Sequence, residues 1–435
     1  MEQNESLKQR YQRKLERLRT LVPMNDFIFK ELYFCKRVFI LQLRVPVHTG
    51  ETQHLQAYIA HHCNPYDTGE DPYKGGLRKS VNLDQETIEG LAMDMTEKEG
   101  VADLPLGGGK AGICLEPNFA YTRKDHAQMN KAFVQEADTV NALGPRIYST
   151  ASDLGTSELD CDDIMKEYIK LHETELGSKR GVATGKSVEN FGNPARKKAT
   201  GRGGLIVARK MLSLLGVKKE AVTITIEGFG NVGGPTLELA EYEEYNFKPV
   251  AISDINGGIY NPNGLNIQAV IEHHKHHKTF AGYKEADSVT NDELLHLPCD
   301  MLIPAAIQNR LTTKTAGGVR AKYILELANG PTTEGGEKIL LENGVVIIPD
   351  ILANAGGVIV SWRELNVNKE HDRHAVERDS EEEETNEKLG KIMRHNTEQV
   401  FRISQEKKLG MRDAASFLSL SRIVPRLREK HPLYF

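Results

Sequence analysis

The stretch VTITIEGFGNVGGPTLELAEYEEY, residues 222–245, decides how the second half of the chain folds. Its first residues alternate in the manner of a buried strand, and its last residues read as a helix. Between them, Gly228, Gly230 and Gly233 have the G-x-G-x-x-G spacing of a dinucleotide-binding turn, and Asp254 ends the next strand. A strand, a glycine turn, a helix, a strand and an acid in this order predict a Rossmann-type nucleotide site.

The glycine turn predicts contacts with a dinucleotide. Glycine lets the backbone approach a pyrophosphate closely, and the start of the following helix supplies N–H groups and a positive dipole. Val232 lies within the turn, and we expect it in the same site. A carboxylate at Asp254 can bind a ribose 2′-hydroxyl and repels a 2′-phosphate, which favours NAD as the cofactor. Asn256 next to it leaves NADP open.

Further short apolar runs follow this motif and alternate with helical stretches. They begin at Val250, Asp300, Tyr323 and Val345, a pattern typical of a parallel, doubly wound sheet. Ligands bind beyond the C-terminal ends of the strands in such a sheet. Ala305, at the end of the run DMLIPAA, is therefore expected to border the cofactor.

The sequence changes character near residue 190 and again near residue 360. Strand-like runs mixed with long polar helices precede the first change, and helical sequence follows the second. We predict an α/β protein with two domains. An α/β substrate and oligomerisation domain comprises residues 1–188 plus 355–435, and a Rossmann-type, doubly wound nucleotide domain comprises residues 189–354.

The composition excludes several classes of protein. Hydrophobic residues make up 39% of the chain and charged residues 27%, which excludes a disordered chain. The formal net charge of −5 argues against nucleic acid as a partner. The first twenty residues lack the apolar segment of a signal peptide, and no run reaches the roughly 20 apolar residues that span a bilayer. We therefore expect a cytoplasmic protein without a membrane partner.

The cysteines and histidines do not predict a metal site. The five cysteines show no CxxC spacing, so neither a zinc site nor a disulfide framework is indicated. The segment HHKHH, residues 273–277, is expected on a surface helix of the nucleotide domain, where its histidines are solvated. We assign no metal to the chain.

Three lysines in the first half of the chain stand in unusual contexts. Lys74 lies in DPYKGGLR, Lys98 in MTEKEG and Lys110 in LPLGGGKAG. Solvation at the surface is the ordinary state of a lysine, but Lys110 follows three glycines and precedes an apolar run, so we expect it to be partly desolvated. Desolvation and neighbouring cations lower the pKa of a lysine and suit it to acid–base chemistry near neutral pH.

Asp153 allows two interpretations. It lies in YSTASDLGT, at the end of a strand-like segment and before a glycine turn. Its carboxylate either belongs to the site with the lysines or caps the helix predicted for TSELDCDDIMKEY. The residues alone favour neither interpretation.

Taken together, the motifs resemble those of the glutamate/leucine/phenylalanine/valine dehydrogenases, and within this family most closely those of glutamate dehydrogenases. The resemblance extends from about Phe29 to the C-terminal helices. The matching segments are KGGLR, MTEKEGVADLPLGGGKAGI, SDLGTSELD, ATGRGG, EGFGNVGG, SDINGGIYNPNG, LANGPTT and PDILANAGGVIVS.

The resemblance implies roles for residues at matching positions. Lys110 matches the catalytic lysine that activates water, and Asp153 matches the aspartate that moves protons to and from the amino group. Thr200 and Asn231 match contacts of the cofactor, and Asn329 and Asn354 fall in segments that line its nicotinamide side.

The resemblance also implies how a substrate is held. Lys98 matches the lysine that binds the α-carboxylate. Lys74 matches the lysine that binds the side-chain carboxylate in glutamate dehydrogenases, with Ser361 as a helper and Val358 lining the pocket. A buried lysine facing an apolar substrate would remain unpaired at high cost, so glutamate is favoured over leucine, valine and phenylalanine.

The implied function is the reversible oxidative deamination of L-glutamate to 2-oxoglutarate and ammonia with NAD or NADP, carried out by a homo-oligomer, a hexamer. Two alternatives remain: a dehydrogenase for another amino acid, and a degenerate family member that acts as a regulatory binding protein. The second alternative is motivated by departures from the family pattern. Glu97 replaces an aromatic residue before Lys98, and Ala111 stands where the family prefers glycine.

Overall fold

The computed structural model describes residues 6–66, 69, 71–172, 179–219, 221–242, 245–370 and 378–432. The chain forms two compact units. Unit 1 contains Met1–Arg196, Val358–Thr385 and Ser416–Phe435, and unit 2 contains Lys197–Gly357 and Asn386–Ala415. These units differ from the domains drawn on the sequence chiefly in residues 386–415, which the sequence placed in the first domain and the structure groups with unit 2.

Unit 1 begins with helices around a mixed sheet. Its first helices are α1 (Leu7–Leu18), α2 (Asp26–Tyr33), α3 (Gln85–Ala102), α4 (Arg123–Thr139) and α5 (Glu158–His172). Its strands are β1 (Arg37–Pro46), β2 (Thr52–His61), β3 (Tyr73–Lys74), β4 (Leu77–Ser80), β5 (Gly107–Cys114), β6 (Tyr148–Ala151) and β7 (Ala183–Thr184).

The strands of unit 1 pair in the order β1-β2-β5-β3-β6-β7, and β4 also pairs with β5. Strands β1, β2 and β5 are antiparallel neighbours. Strands β3 and β4 run parallel to β5, and β6 runs parallel to β3. This order places the short strand β3, which ends in Lys74, between β5 and β6.

Local sequence explains why these elements form. Ser6 accepts a hydrogen bond from the N–H of Gln9 and caps α1, and the apolar positions of this helix lie on one buried face. Along β1, buried Leu41, Leu43 and Val45 alternate with exposed residues. That period of two is expected of a strand that covers the core with one face only.

Unit 2 is built on a second sheet. Its helices are α6 (Ala199–Leu214), α7 (Gly233–Leu239), α8 (Ile267–His277), α9 (Asn291–Leu294), α10 (Glu334–Glu342) and α11 (Asp350–Ala353). Its strands are β8 (Val222–Glu227), β9 (Phe247–Asp254), β10 (Gly257–Tyr260), β11 (Asp287–Val289), β12 (Met301–Pro304), β13 (Tyr323–Leu325) and β14 (Val346–Ile348). The described chain continues with α12 (Gly356–Glu370), α13 (Arg378–Lys407) and α14 (Met411–Lys430).

The sheet of unit 2 has the strand order β11-β10-β9-β8-β12-β13-β14. The five strands from β9 to β14 in this order are parallel, whereas β10 and β11 form an antiparallel edge. The predicted Rossmann-type parallel sheet is therefore confirmed. The chain moves outward in opposite directions from β8 and β12, which makes the gap between their C-terminal ends the place where ligands bind in such sheets.

One further property concerns the helices of both units. Within the ranges that the structure describes, no helix combines the length and the apolar character needed to cross a membrane.

Candidate active site

Lys74 lies at the end of β3, in the interior of unit 1. Its side chain is 1% exposed. Its Nζ donates hydrogen bonds to the backbone carbonyl oxygens of Ser149, at 3.0 Å, and Thr150, at 2.8 Å. Burial lowers the pKa of Lys74 to about 7. The structure therefore contains a buried ammonium group whose described hydrogen bonds go to neutral oxygens rather than to a carboxylate.

Glycines around Lys74 let the neighbouring elements approach one another closely. A Cβ atom on Gly75 would lie 1.7 Å from the carbonyl oxygen of Gly109, and one on Gly108 would lie 2.0 Å from Oγ1 of Thr96 on α3. Both distances are far below van der Waals contact, so any side chain there would force the strands and the helix apart. The segments KGG and GGG thus hold Lys74 in a tightly closed part of the fold.

Lys110 and Asp153 form an ion pair in the same unit. Lys110 lies on β5, is 4% exposed, and its Nζ donates to Oδ2 of Asp153. Nε of Arg78 lies 3.6 Å from the same carboxylate oxygen. The N–H of Leu154 donates to the other oxygen of Asp153, at 2.7 Å. Because α5 begins only at Glu158, Asp153 does not cap that helix, and its carboxylate contacts Lys110 instead.

Burial and neighbouring charges poise this pair for proton transfer. Burial lowers the pKa of Lys110, and the charges of Arg78 and Lys98 add to that effect, while Asp153 opposes it. Burial raises the pKa of Asp153, but Lys110 and Arg78 outweigh burial, so its pKa is lowered overall. At neutral pH a charged carboxylate therefore contacts a lysine whose hold on its proton is weakened.

Lys98 lies on α3 and is half-buried. Glu97, the acid that departs from the family pattern, is 2% exposed and forms an ion pair with Lys14 of α1. The negative charge beside Lys98 is thus compensated by a cation from another helix. Glu99, on the other side, is 1% exposed, and burial raises its pKa well above the ordinary value of a glutamate, against the charges of Lys74 and Lys98.

Ser361 and Val358 lie on the part of α12 that belongs to unit 1, and both are buried. Oγ of Ser361 accepts a hydrogen bond from Nε of Arg196, at 3.2 Å. The charge of Arg196 also lowers the pKa of Lys74. Arg196 is thus a site residue that the sequence did not reveal, since the only signal was its position just before the ATGRGG segment.

In unit 2, the glycine turn follows β8 as predicted. Gly228 has a φ of +101°, and a Cβ atom there would lie 2.9 Å from Cβ of Ala306, directly after Ala305 at the end of β12. A Cβ on Gly233 would lie 1.8 Å from the carbonyl oxygen of Gly228, whereas one on Gly230 would meet nothing within 4 Å. Two of the glycines therefore shape the turn, and the third keeps its outer side open at the switch point of the sheet.

The remaining turn residues and Asp254 are also where the sequence predicted them. Asn231 and Val232 lie between β8 and α7, and Val232 precedes the first residue of that helix. Asp254 ends β9. Its carboxylate is largely buried and accepts hydrogen bonds from the N–H of Asn256 and the N–H of Phe280.

Asn329 and Asn354 meet in unit 2. Nδ2 of Asn354 donates to Oδ1 of Asn329, at 2.9 Å. Oδ1 of Asn354 is buried, and no described group donates a hydrogen bond to it. An unpaired buried acceptor costs about 1–3 kcal/mol, so a donor such as a carboxamide would stabilise this place. The open side of Gly230 and this acceptor both fit a bound nicotinamide dinucleotide.

Thr200 lies on α6 in the same unit. A Cβ on Gly356 would lie 2.2 Å from the carbonyl oxygen of Ala199. This close contact joins the start of α6 to the segment that contains Asn354. A network behind that segment orders the loop of Asn329, because Arg412 pairs with Asp350, and Asp350 accepts from the N–H of Gly330.

These features first define the class of protein. Unit 2 has a glycine turn at the switch point of a parallel sheet, and unit 1 has a desolvated lysine paired with an aspartate. Both features are typical of an oxidoreductase that uses a nicotinamide dinucleotide.

Comparison with known proteins then identifies the family. The family model for the Glu/Leu/Phe/Val dehydrogenase dimerisation domain matches residues 35–170, and the model described as Glutamate/Leucine/Phenylalanine/Valine dehydrogenase matches residues 192–430. The chain belongs to this family.

Individual relatives match over nearly the whole chain. The chain is 33% identical to the NADP-specific glutamate dehydrogenase of Synechocystis sp., covering 94% of each chain. It is 34% identical to the catabolic NAD-specific glutamate dehydrogenase of Bacillus subtilis, covering 87% of this chain and 85% of the relative. Among solved structures, a hetero-hexameric glutamate dehydrogenase from Thermus thermophilus in its Leu-bound form matches with a TM-score of 0.88 and 25% identity, covering 99% of this chain and 98% of the other.

Proposed function

We propose that this chain catalyses the reversible, NAD(P)-dependent oxidative deamination of L-glutamate to 2-oxoglutarate and ammonia. The observation that carries the proposal is the environment of Lys74. Two of the three donors of its ammonium group bind backbone carbonyls, and a buried cation is costly unless an anion joins it. The side-chain carboxylate of glutamate supplies that anion, which leucine, valine and phenylalanine lack. The names of the relatives support the same substrate.

Lys98, Ser361 and Val358 complete the proposed substrate site. Lys98 binds the α-carboxylate in this proposal, and the neighbouring acid Glu97 is paired with Lys14. Ser361, held by Arg196, helps Lys74 to bind the side-chain carboxylate. Val358 lines the pocket.

Lys110 and Asp153 handle the protons of the reaction in this proposal. When bound, a nicotinamide would accept the hydride that leaves the substrate Cα, and this would convert the substrate amine to an iminium. Lys110 activates the water that attacks the iminium carbon, because burial lowers the pKa of its ammonium group. Asp153 takes up the proton that Lys110 has removed from the attacking water and passes it to the amino group, so that ammonia leaves. The ion pair between the two residues supports this division of roles.

The dinucleotide is proposed to bind in unit 2, with NAD as the cofactor and NADP also open. The residues proposed to contact it are Thr200, Gly228, Gly230, Asn231, Val232, Gly233, Asp254, Ala305, Asn329 and Asn354. The steric need for glycine at Gly228 and Gly233 and the unpaired acceptor of Asn354 support these assignments.

The partners in this proposal are small molecules and further copies of the chain. We infer a homohexamer in the cytoplasm, without nucleic acid or membrane as a partner. The hetero-hexameric assembly named for the Thermus thermophilus relative supports six subunits. Light scattering on the purified protein tests this assignment, and a monomer or dimer would contradict it.

The direct test follows the absorbance of the reduced nicotinamide. Purified protein is offered glutamate, leucine, valine and phenylalanine in turn, each with NAD and with NADP. Turnover with glutamate alone is expected. Lys74→Met should lower kcat/KM for glutamate roughly a thousandfold, because it removes the counter-charge of a buried carboxylate. The exposed Lys124 gives a matched control, and Lys124→Met should leave kcat/KM unchanged.

Two other outcomes would contradict the proposal. Turnover with an apolar amino acid would keep the dehydrogenase chemistry and overturn the role of Lys74. Binding of the dinucleotide without turnover of any of the four amino acids would favour a regulatory binding protein.

A further inference from the structure

Asp254 is not a free carboxylate in this structure. Its side chain is 9% exposed. Its Oδ1 accepts from the N–H of Asn256, at 2.7 Å, and its Oδ2 accepts from the N–H of Phe280, at 3.3 Å. Both oxygens are thus engaged by the chain itself, although the sequence suggested that this acid would face a ribose.

His274, on α8, is a third partner of the same carboxylate. Its Nε2 lies 3.2 Å from Oδ2 of Asp254. The imidazole ring is 20% exposed and contacts two phenylalanine rings, with centroid distances of 4.5 Å to Phe229 and 4.8 Å to Phe280. These contacts hold the imidazole beside the carboxylate. Phe229 stands between Gly228 and Gly230, so the same cluster adjoins the dinucleotide turn.

The cluster changes what the acid at the end of β9 does to a cofactor. A free carboxylate there accepts hydrogen bonds from the ribose 2′-hydroxyl and repels a 2′-phosphate. A carboxylate that already accepts from two backbone N–H groups, with an imidazole nitrogen 3.2 Å away, has less capacity to do either. The imidazole N–H can also donate a hydrogen bond to a phosphate.

The relatives do not indicate whether this chain prefers NAD or NADP. The NADP-specific relative is 33% identical to the chain and the NAD-specific relative 34%, so overall similarity favours neither cofactor. The cofactor preference therefore has to be inferred from the residues around Asp254 in this chain.

We propose that His274, through its position beside Asp254, determines cofactor specificity, so that the chain binds NADP as well as NAD. The proposal deepens the cofactor part of the proposed function and rests on the nucleotide site of unit 2. His274 was expected to be a solvated histidine of the HHKHH segment, and its position beside Asp254 distinguishes it from its exposed neighbour His276, whose Nε2 lies 2.7 Å from Glu272.

The test compares the dissociation constants of NADH and NADPH, measured by nicotinamide fluorescence without any amino acid. The wild type should bind the two within about thirtyfold of each other. His274→Leu keeps an apolar contact with Phe229 and Phe280 but removes the donor, so NADPH should weaken about tenfold more than NADH. His274→Gln, which retains a donor, should restore most of the loss. The control His276→Leu, on the same helix, should change neither constant.

Two results would overturn the proposal. One is an equal effect of His274→Leu on NADH and NADPH, which would indicate a structural role only. The other is discrimination by the wild type against NADPH beyond about thirtyfold, a result that remains decisive even if His274→Leu fails to fold. Because no amino acid is present, failure of glutamate turnover would leave both readouts intact and would count against the proposed function alone.

Discussion

The nucleotide turn of unit 2 and the lysine site of unit 1 both depend on glycine, but for different ends. In unit 2, Gly228 and Gly233 give the backbone a shape whose outer side is open. In unit 1, Gly75 and Gly108 bring strands and a helix so close together that the lysine between them loses contact with water. The first site depends on backbone shape, and the second depends on charges that are shielded from water. Steric substitutions should therefore affect the nucleotide turn, and changes of pH should affect the lysine site.

The largest expected effect is on turnover and concerns the lysine site of unit 1. Lys110→Met should lower turnover about a thousandfold or more, since it removes the general acid–base group. Binding of NADH, measured by fluorescence, should remain unchanged. The exposed Lys131 on α4 provides the control, and Lys131→Met should retain full turnover. Turnover of Lys110→Met within tenfold of the wild type would contradict the assigned role.

The next largest effect is on NADH binding and concerns the nucleotide turn of unit 2. Gly233→Ala should weaken NADH binding between about tenfold and a hundredfold, because its Cβ would lie 1.8 Å from the carbonyl oxygen of Gly228. Gly234→Ala is the matched control, since its Cβ would lie 3.7 Å from the nearest atom, on Phe229. Equal affinities of the two variants, measured by fluorescence titration, would show that the turn does not require glycine at position 233.

The pH dependence of substrate binding sharpens the comparison. The pKa of Lys74 is lowered to about 7, and the protonated form is the one that binds a carboxylate. As pH rises through 7 the free protein loses this charge, so the inhibition constant of the dicarboxylate glutarate should increase roughly tenfold between pH 7 and pH 8.5. NADH binding, which depends on backbone shape, should change little over the same range. An inhibition constant that stays flat would contradict the charge account of unit 1.

The smallest effect at neutral pH concerns stability. Burial lowers the pKa of His61, on β2, to about 4, so the folded protein holds this histidine neutral. Its contribution is fully present above pH 6.5 and is lost as pH falls toward 4, at a cost of about 3 kcal/mol over that window. His61→Leu should match the wild type within about 1.5 kcal/mol at pH 7.5 and exceed it at pH 5. Urea unfolding at both pH values measures this difference.

The control for this prediction lies on the same strand. His54 is exposed, and His54→Leu should not alter how stability depends on pH. If His61→Leu lost stability with falling pH as steeply as the wild type does, His61 would not contribute to that loss.

The parts of the molecule that sequence could predict are those determined by neighbouring residues. The spacing of Gly228, Gly230 and Gly233 is local, and the structure places them in the predicted turn after β8. The alternation of apolar runs likewise predicted the parallel sheet of unit 2, and the three glycines before Lys110 predicted its burial.

The unpredicted parts arise where distant segments meet. Asp153 remained ambiguous until the structure showed it beside Lys110, which lies on β5, 43 positions earlier in the chain. The contact of Arg196 with Ser361 joins residues that are 165 positions apart. The contact of His274 with Asp254 depends on how α8 packs against the glycine turn. Such contacts follow from tertiary packing, which the periodicity of a single segment does not encode.

The ion pair between Lys14 and Glu97 has a consequence for variants in which α1 is altered. The first helix supplies the cation that offsets the acid next to Lys98. Deleting that helix, or displacing it with a bulky fusion, would leave the carboxylate of Glu97 without the cation of Lys14. Glu97 precedes Lys98, which is proposed to bind the α-carboxylate. The expected result is a weaker affinity for the amino acid substrate. Its cause would lie in α1, outside the substrate pocket.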